Sequence, residues 1–278
     1  MTSDALHALY TSMAASAVGV LAFLTLTWAV GRWQNRHVLV DVAWGLGFVL
    51  VAAISFVRSA GIGDDLTRRV LLGLVAVWGV RLALHIVART IGAGEDPRYA
   101  AMMARAKGSR HAYIYRVAYL NQALVMWIVS LPIQVAMFAA GPGLRWVLWA
   151  GVTVWAVGEF FEAVGDWQLQ RFRNDPSTRG QVMDRGLWRY TRHPNYFGDT
   201  CVWWGIYLVA AATWPGCLTV ISPLLMTWAL TKKTGKPLLE KGLVQTRPGY
   251  AEYVARTSGF IPWPPRQPHH SAGGPPVR

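Results

Sequence analysis

Long apolar segments recur along the chain, and they constrain its fold more than any other feature. Seven runs come near or exceed the length of about 18 residues that lets a helix cross a bilayer. They are residues 8–31, 38–57, 70–88, 117–140, 144–164, 198–213 and 216–231. Only 15% of the 278 residues are charged, whereas soluble domains have about 25%. The sequence therefore predicts an all-α, polytopic membrane protein with about seven transmembrane helices.

The C-terminal part of the chain departs from this simple pattern. Pro215 and Pro223 interrupt the last two apolar segments, which are also short. These two segments would alternatively form one broken pair or a re-entrant hairpin. Residues 1–261 are predicted to form a single integral membrane domain. The tail, residues 262–278, is rich in Pro and Gly, a composition that predicts disorder.

The net charge of +13 is distributed unevenly over the predicted loops. If the N-terminus lies outside, the inner loops carry 22 of the 27 Lys and Arg residues and the outer loops carry four. Inner loops of membrane proteins hold an excess of Lys and Arg, so this pattern predicts a cytoplasmic C-terminus. Topology explains the charge without nucleic-acid binding. Membrane lipids and a phosphorylated cofactor are the partners that such a charge suits.

Ionisable residues inside predicted helices form the first candidate site. They are Asp41, Arg81, Glu159, Glu162 and Asp166. An ionisable side chain is costly in a bilayer unless it has a partner or a function. The predicted topology places all five in the cytoplasmic half of their helices or at that edge. This predicts one polar, cytoplasm-facing cavity, and the alternative is a set of buried ion pairs such as Asp41 with Arg81.

The densest polar cluster lies in residues 186–199, directly before an apolar segment. It contains Arg189, Tyr190, Arg192, His193, Asn195, Tyr196 and Asp199. Guanidinium, imidazole and amide groups donate hydrogen bonds to anionic ligands. The cluster therefore predicts a cofactor pocket, and a basic loop that only fixes the topology is the alternative.

A second polar loop, Glu95-Asp96-Pro97-Arg98-Tyr99, precedes the predicted fourth helix. Asp before Pro favours an extended or turn conformation, so an ordinary solvated turn is one interpretation. The other is a lid at the mouth of a substrate cavity, with Tyr99 near the polar residues of the helices.

These motifs together resemble the steroid 5α-reductase superfamily, and above all its largely uncharacterised bacterial membrane branch. The similarity to the characterised reductases rests on Glu162-Ala-Val-Gly-Asp-Trp-Gln-Leu-Gln-Arg-Phe-Arg173 and on residues 186–199, and it begins at about residue 159. The branch also carries Asp41-Val-Ala-Trp44, the loop Glu95–Tyr99, a single Glu240, Gly249-Tyr250-x-x-Tyr253 and Phe260-Ile-Pro262. The similarity to the branch covers nearly the whole chain.

The resemblance implies a seven-helix fold in the bacterial cell membrane, with NADPH held in a cytoplasm-facing cavity and residues 158–261 as the cofactor-binding half. The family's Asp and Arg seven residues apart look like Asp166 and Arg173. Its Asn and acid four residues apart look like Asn195 and Asp199, although the reductases usually have Glu in the second position. The residues expected to hold the cofactor are Arg173, Arg189, Arg192, His193, Asn195, Tyr196 and Asp199, with Asp166 orienting it.

The implied reaction is the transfer of hydride from NADPH to an activated carbon–carbon double bond in a lipid-soluble substrate, steroid-like or an unsaturated lipid. In the reductases a third-helix Tyr polarises the substrate carbonyl, and Ile86 stands at that place here. Asp41 is therefore the first candidate for the proton donor. His85, Tyr99 and Tyr119 are the other candidates to replace the missing tyrosine.

Two further functions agree with the same residues. Isoprenylcysteine carboxyl methyltransferases and phospholipid methyltransferases have an Arg-His-Pro-x-Tyr stretch similar to residues 192–196, and they use S-adenosylmethionine. They typically add two adjacent Glu residues after the last helix, where this chain has Leu239-Glu240. The third possibility is a non-enzymatic lipid-binding membrane protein, because a fold does not determine a function.

Overall fold

The computed structural model describes residues 2–233, 240, 242, 243 and 246–266. All regular secondary structure in this part of the chain is helical, without a strand. The all-α prediction is therefore confirmed. Of the predicted disordered tail, residues 267–278 lie outside the described residues.

Twelve α-helices have both ends within the described residues, and residues 240, 242, 243 and 246 are helical as well. The twelve helices are α1 (Ser3–Gln34), α2 (Leu39–Arg58), α3 (Asp65–Thr90), α4 (Pro97–Ala104), α5 (Arg110–Ile114), α6 (Leu120–Val129), α7 (Leu131–Ala136), α8 (Arg145–Asn174), α9 (Pro194–Ala211), α10 (Trp214–Cys217), α11 (Ile221–Trp228) and α12 (Tyr250–Arg256). A π-helical turn, Tyr115–Tyr119, joins α5 to α6, and a second one spans Ala229–Lys233. Two 3-10 turns, Pro176–Thr178 and Gly186–Arg189, lie between α8 and α9.

Within the described residues, five helical stretches are long and apolar enough to cross a membrane. They are α1, α2, α3, α8 and the region Trp214–Lys232. Each coincides with one of the seven predicted segments. The predicted segment 117–140 is divided instead, because α6 ends at Val129 and α7 begins at Leu131, with Pro132 in its first turn. A membrane protein is therefore indicated, while the total of seven spans and the orientation of the termini stay predictions.

The chain forms two compact units. The first consists of Met1–Glu159 with Thr200–Thr227, and the second of Phe160–Asp199 with Trp228–Arg278. The predicted cofactor-binding half, residues 158–261, is thus divided between them, since its residues 200–227 belong to the first unit.

An aromatic cluster forms the core of the first unit. Phe48, Trp78 and Trp203 are fully buried, and the ring centroids of Phe48 and Trp203 lie 4.5 Å apart. Close packing of α2 on α3 accompanies this cluster. A Cβ atom on Gly45 would lie 2.4 Å from the carbonyl oxygen of Gly79, so only glycine permits this approach of the two backbones.

An ion pair links the start of α3 to the start of α8 in the same unit. Asp64 caps α3 by accepting from the Thr67 amide, and it also accepts two 2.8 Å hydrogen bonds from Arg145. These bonds from Arg145 lower the pKa of Asp64 to about 2. The carboxylate therefore stays ionised over the whole physiological pH range.

The second unit is built around the end of α8, the start of α9 and α12. The rings of Phe161 and Phe197 pack with their centroids 5.0 Å apart. The segment that follows α12 is bound to this unit through its backbone. The Trp263 amide donates to the Tyr190 carbonyl, and the Arg266 amide to the Arg256 carbonyl, each at 2.9 Å. Residues 263 and 266 therefore have defined backbone partners, although the tail was predicted to be disordered from residue 262.

Candidate functional site

The 3-10 turn Gly186–Arg189 is held on α8 by two specific hydrogen bonds. The Leu187 amide donates to Gln168 Oε1 at 2.9 Å, and Trp188 Nε1 donates to the Gly165 carbonyl at 3.0 Å. Gly186 has a φ of 59°, and a Cβ atom there would lie 2.5 Å from Gln168 Nε2. The positive φ favours glycine here, and a Cβ atom would in addition displace the Gln168 amide that binds the turn. The turn has a fixed position from which the polar cluster continues.

Asn195 and Asp166 are brought together at the start of α9. Asn195 Nδ2 donates to Asp166 Oδ1 at 3.2 Å. Asp166 is buried, whereas Asn195 is half-buried. These residues stand 29 positions apart in the sequence, and both belong to the predicted cofactor-binding set. The two residues therefore lie in one place, where solvent or a ligand can reach the side-chain amide of Asn195.

Arg192 is bound almost completely by protein acceptors. Its Nε donates to Glu240 Oε1 at 2.9 Å, and its Nη1 donates to the carbonyl oxygens of Val254 and Thr257 at 3.0 and 2.5 Å. A weaker bond of 3.5 Å joins Nη2 to Glu240 Oε2. Four of the five guanidinium N–H groups are thus used. In this arrangement Arg192 connects the 186–199 segment to α12.

His193 takes part in the same ion cluster. Its Nε2 lies 3.0 Å from Glu240 Oε1, and its ring stacks on Tyr196 with centroids 5.3 Å apart. Burial disfavours the charged form of Glu240, but the hydrogen bonds from Arg192 and His193 outweigh it and lower the pKa of this carboxyl group. Glu240 therefore carries the negative charge that binds Arg192 and accepts the hydrogen bond from His193.

The remaining predicted cofactor residues lie on the same elements. Arg173 is exposed in the last turn of α8, two helical turns or about 10 Å along the axis from Asp166. Arg189 is exposed at the end of the 3-10 turn, and Asp199 is half-buried one turn after Asn195 in α9. A cavity of about 360 Å³ lies beside Arg192 and is lined also by Arg256, Trp263 and Arg266. The second unit thus presents several exposed guanidinium groups.

A second network of polar side chains lies in the first unit, around Asp41. Asp41 accepts a 2.6 Å hydrogen bond from Arg98 Nη2 and another from the hydroxyl group of Tyr99. Tyr99 is only 3% exposed. Burial and the Asp41 charge raise the pKa of Tyr99 far above its ordinary value. The Tyr99 hydroxyl therefore keeps its proton and acts as a hydrogen-bond donor.

A further group of polar side chains surrounds Glu95, in the loop before α4, and reaches the junction of α1 and α2. Glu95 accepts hydrogen bonds from the backbone amides of His37 and Val38, where α2 begins. His37 is fully buried, with Nδ1 3.1 Å from the Tyr119 hydroxyl and Nε2 3.0 Å from His111 Nδ1. We call Asp41, Glu95, Arg98, Tyr99, His37, His111 and Tyr119 the Asp41 network.

The π-helical turn places Tyr119 in this network. Tyr115 and Tyr119, at the two ends of the turn, both reach residues at the α1 side: Tyr115 contacts the Thr25 hydroxyl at 2.8 Å, and Tyr119 contacts His37. π-helical turns inside α-helices frequently occur at functional sites. His37 and His111 are not among the site residues that the sequence predicted. In the sequence, His37 stands directly before an apolar segment. Such a position also suits a residue at the membrane interface, so it does not by itself indicate a site.

Arg81 is not the partner of Asp41. Arg81 Nε donates to Glu159 Oε1 at 2.8 Å, and both side chains are mostly buried. The pairing of Asp41 with Arg81 that the sequence suggested is therefore wrong. The reason is that Arg98, in the first turn of α4, is the cation that binds Asp41. His85 lies half-buried in α3, one turn after Arg81.

Comparison with known proteins identifies a family but no characterised relative. No curated protein matches the chain, and no solved structure matches it. A family model matches residues 27–257, which include both the Asp41 network and the cluster around Asn195. This match covers most of the chain. The protein therefore belongs to DUF1295, a family of proteins of unknown function.

Proposed function

We propose that this protein is an NADPH-dependent reductase of a carbon–carbon double bond, embedded in the bacterial cell membrane and acting on a lipid-soluble substrate. The observation that carries the proposal is the hydrogen bond between Asn195 and Asp166. These two residues come from the two separate sequence motifs that resemble the steroid 5α-reductase superfamily. If the two motifs bind one cofactor, residues of both must lie close together, as Asn195 and Asp166 do.

The donor set of the second unit fits a phosphorylated dinucleotide. Arg173 and Arg189 are exposed guanidinium groups, which bind phosphate bidentately. The half-buried Asn195 amide suits a carboxamide, and the Asp166 carboxylate suits ribose hydroxyl groups. Arg192 has a different role in this proposal, because its donors already bind Glu240, Val254 and Thr257. It holds α12 against the site.

When bound, NADPH would supply the hydride, and the protein must supply a proton donor. Tyr99 suits this role because its hydroxyl keeps its proton and already donates to Asp41. It replaces the family tyrosine that is missing at Ile86. Asp41 orients the Tyr99 hydroxyl, and Arg98 holds Asp41 from the solvent side. A tyrosine that donates to a carbonyl oxygen stabilises the enolate form of a substrate.

Methyl transfer from S-adenosylmethionine is the second candidate, and one observation favours it. Glu240, the single acid after the last helix, binds both Arg192 and His193 of the Arg-His-Pro-x-Tyr stretch. This is the stretch that resembles the methyltransferases. A lipid-binding protein without catalysis is the outcome if neither cofactor binds.

The decisive experiment is a titration of detergent-purified full-length protein with NADPH, NADH and S-adenosylmethionine, followed by calorimetry. We expect NADPH to bind, and the variant Asn195→Ala to weaken its binding by about tenfold or more, as the loss of a hydrogen bond to a ligand does. Asn121→Ala is the matched control, because it removes an exposed amide in α6. Unchanged NADPH affinity in Asn195→Ala would remove the pocket assignment, and binding of S-adenosylmethionine alone would establish the second candidate.

A further inference from the structure

The connection between α4 and α5 is basic and contains no acid. Arg105, Lys107, Arg110 and Arg116 fall within twelve residues, and no Asp or Glu occurs anywhere from residue 97 to residue 158. Most other cations of the first unit have a carboxylate partner, as Arg81, Arg98 and Arg145 do. A run of cations without nearby acids produces a positive potential that attracts anions.

A cavity of about 530 Å³ lies at this connection. Its lining includes Arg105, Lys107, Ser109, Tyr113 and Arg116. The charged groups of Arg105, Lys107 and Arg116 form no ion pair or hydrogen bond with any described residue, and all three residues are exposed. The cavity therefore offers three cations and two hydroxyl-bearing side chains, which together suit a phosphate group. Its volume lies in the range of sites that bind small molecules.

An exposed apolar surface follows directly on α6. Leu120 and Leu124 come four and eight residues after Arg116, so they fall on about the same side of the helix. They are 37% and 58% exposed, and Val117 beside them is 41% exposed. The exposed leucines thus follow the cationic cavity along the helix. In a chain with five helices long and apolar enough to cross a membrane, this arrangement suits a charged headgroup with an attached acyl chain.

We propose that this cavity binds the headgroup of an anionic phospholipid, whose acyl chains lie along the exposed side of α6. Arg105, Lys107 and Arg116 contact the phosphate. The hydroxyl groups of Ser109 and Tyr113 donate hydrogen bonds to the headgroup. This site is separate from the residues assigned to the reductase. The general excess of basic residues in inner loops does not require that they line one cavity. A headgroup site explains why these three cations do.

The test measures lipid retention by the full-length protein. Protein is reconstituted in vesicles of equal parts phosphatidylglycerol and phosphatidylcholine, released in mild detergent, and analysed by native mass spectrometry. We expect wild-type protein to retain phosphatidylglycerol preferentially. The triple variant Arg105→Gln, Lys107→Gln, Arg116→Gln should lose about fivefold in this preference per cation, on the order of a hundredfold for all three.

The control variant removes three exposed cations elsewhere, by Arg171→Gln, Arg179→Gln and Arg185→Gln. It has the same net charge as the first variant and leaves the cavity intact, so its lipid preference should equal that of wild type. Equal loss in the two triple variants would overturn the proposal, because charge alone would then explain retention. Inorganic phosphate is the second probe. If it binds to the cavity as tightly as the lipid does, the site is one for free phosphate, and the proposal fails.

Discussion

The two units each hold one carboxylate with cationic and hydrogen-bonding partners, but they do so in different ways. In the first unit, Asp41 is bound by the side chains of Arg98 and Tyr99. In the second unit, Glu240 is bound by Arg192 and His193, and Arg192 also binds two backbone carbonyl groups. Asp41 is bound by side chains alone, whereas the arginine that binds Glu240 also holds the backbone at the end of α12. In the proposed reductase, Tyr99 beside Asp41 would donate the proton and Arg192 would position α12.

The largest expected effect comes from removing the positioning arginine. Arg192→Ala leaves the Glu240 carboxylate and two carbonyl groups without their donor, in a place where the Arg192 side chain is only 8% exposed. Breaking a buried ion pair in this way costs about 3–5 kcal/mol in the free energy of unfolding. A denaturant titration of the purified protein measures it. Arg179→Ala, which removes an exposed arginine, is the control. A loss as small as that of the control would mean that Arg192 does not fix the second unit.

A smaller effect on stability but a clear effect on turnover is expected at Tyr99. Tyr99→Phe keeps the buried ring and removes only the hydroxyl that donates to Asp41. If Tyr99 is the proton donor, turnover falls on the order of a hundredfold while NADPH affinity is unchanged. Asp41→Asn should lower turnover in the same direction, because the Tyr99 hydroxyl loses its charged partner.

The controls for these variants are exposed residues of the same types. Tyr10 is 65% exposed, and the Asp65 side chain is 66% exposed, so Tyr10→Phe and Asp65→Asn should leave turnover unchanged. If Tyr99→Phe retains full turnover, the Asp41 network has a structural role only, and the contrast between the two units disappears.

The smallest expected effect concerns pH. Burial lowers the pKa of His37, although the Glu95 carboxylate acts in the opposite direction. In the unfolded chain His37 takes up a proton near its ordinary pKa of about 6.5, whereas in the folded protein it resists protonation to lower pH. The free energy of unfolding should therefore fall as the pH drops from about 7.5 to about 5.5, by at most about 1.4 kcal/mol, which is the limit set by proton uptake of the unfolded chain.

His37→Gln should remove this part of the pH dependence, measured as the change in melting temperature between the two pH values. His7 is exposed, so His7→Gln is the matched control and should keep the dependence of wild type. An identical pH dependence in His37→Gln and wild type would show that His37 does not titrate differently in the folded protein.

The sequence predicted those parts of the fold and site that depend on local pattern. Apolar length alone located α1, α2, α3 and α8, because a helix that crosses a bilayer needs a long run without charges. The proximity of Asp166 and Asn195 followed from two motifs that a known family shares. Segment 117–140 differs because Pro132, in the first turn of α7, lies three residues after the end of α6, and hydropathy does not register such a local break.

The rest of the candidate site depends on contacts between distant positions, which a single sequence does not reveal. Asp41 and Tyr99 are 58 residues apart, and His37 and His111 are 74 residues apart. Among the predicted transmembrane helices, Arg81 was the suggested cation for Asp41, yet the first turn of α4 supplies Arg98 instead. In the sequence, Glu240 is a single acid where the methyltransferases have two adjacent ones. Only the structure shows that it accepts hydrogen bonds from Arg192 and His193.

The π-helical turn Tyr115–Tyr119 has a consequence for how this chain can change in length. A π-helical turn inside an α-helix holds one residue more than an α-helical turn does. The extra residue is accommodated within about one full rotation, so α5 and α6 keep nearly the relative orientation that a continuous α-helix would give them. Deleting one residue from the turn should therefore leave Tyr119 facing His37, whereas deleting one residue from α5 would rotate the residues that follow by about 100° relative to those before it. The contact between Tyr119 and His37 thus tolerates a shorter chain at this one turn.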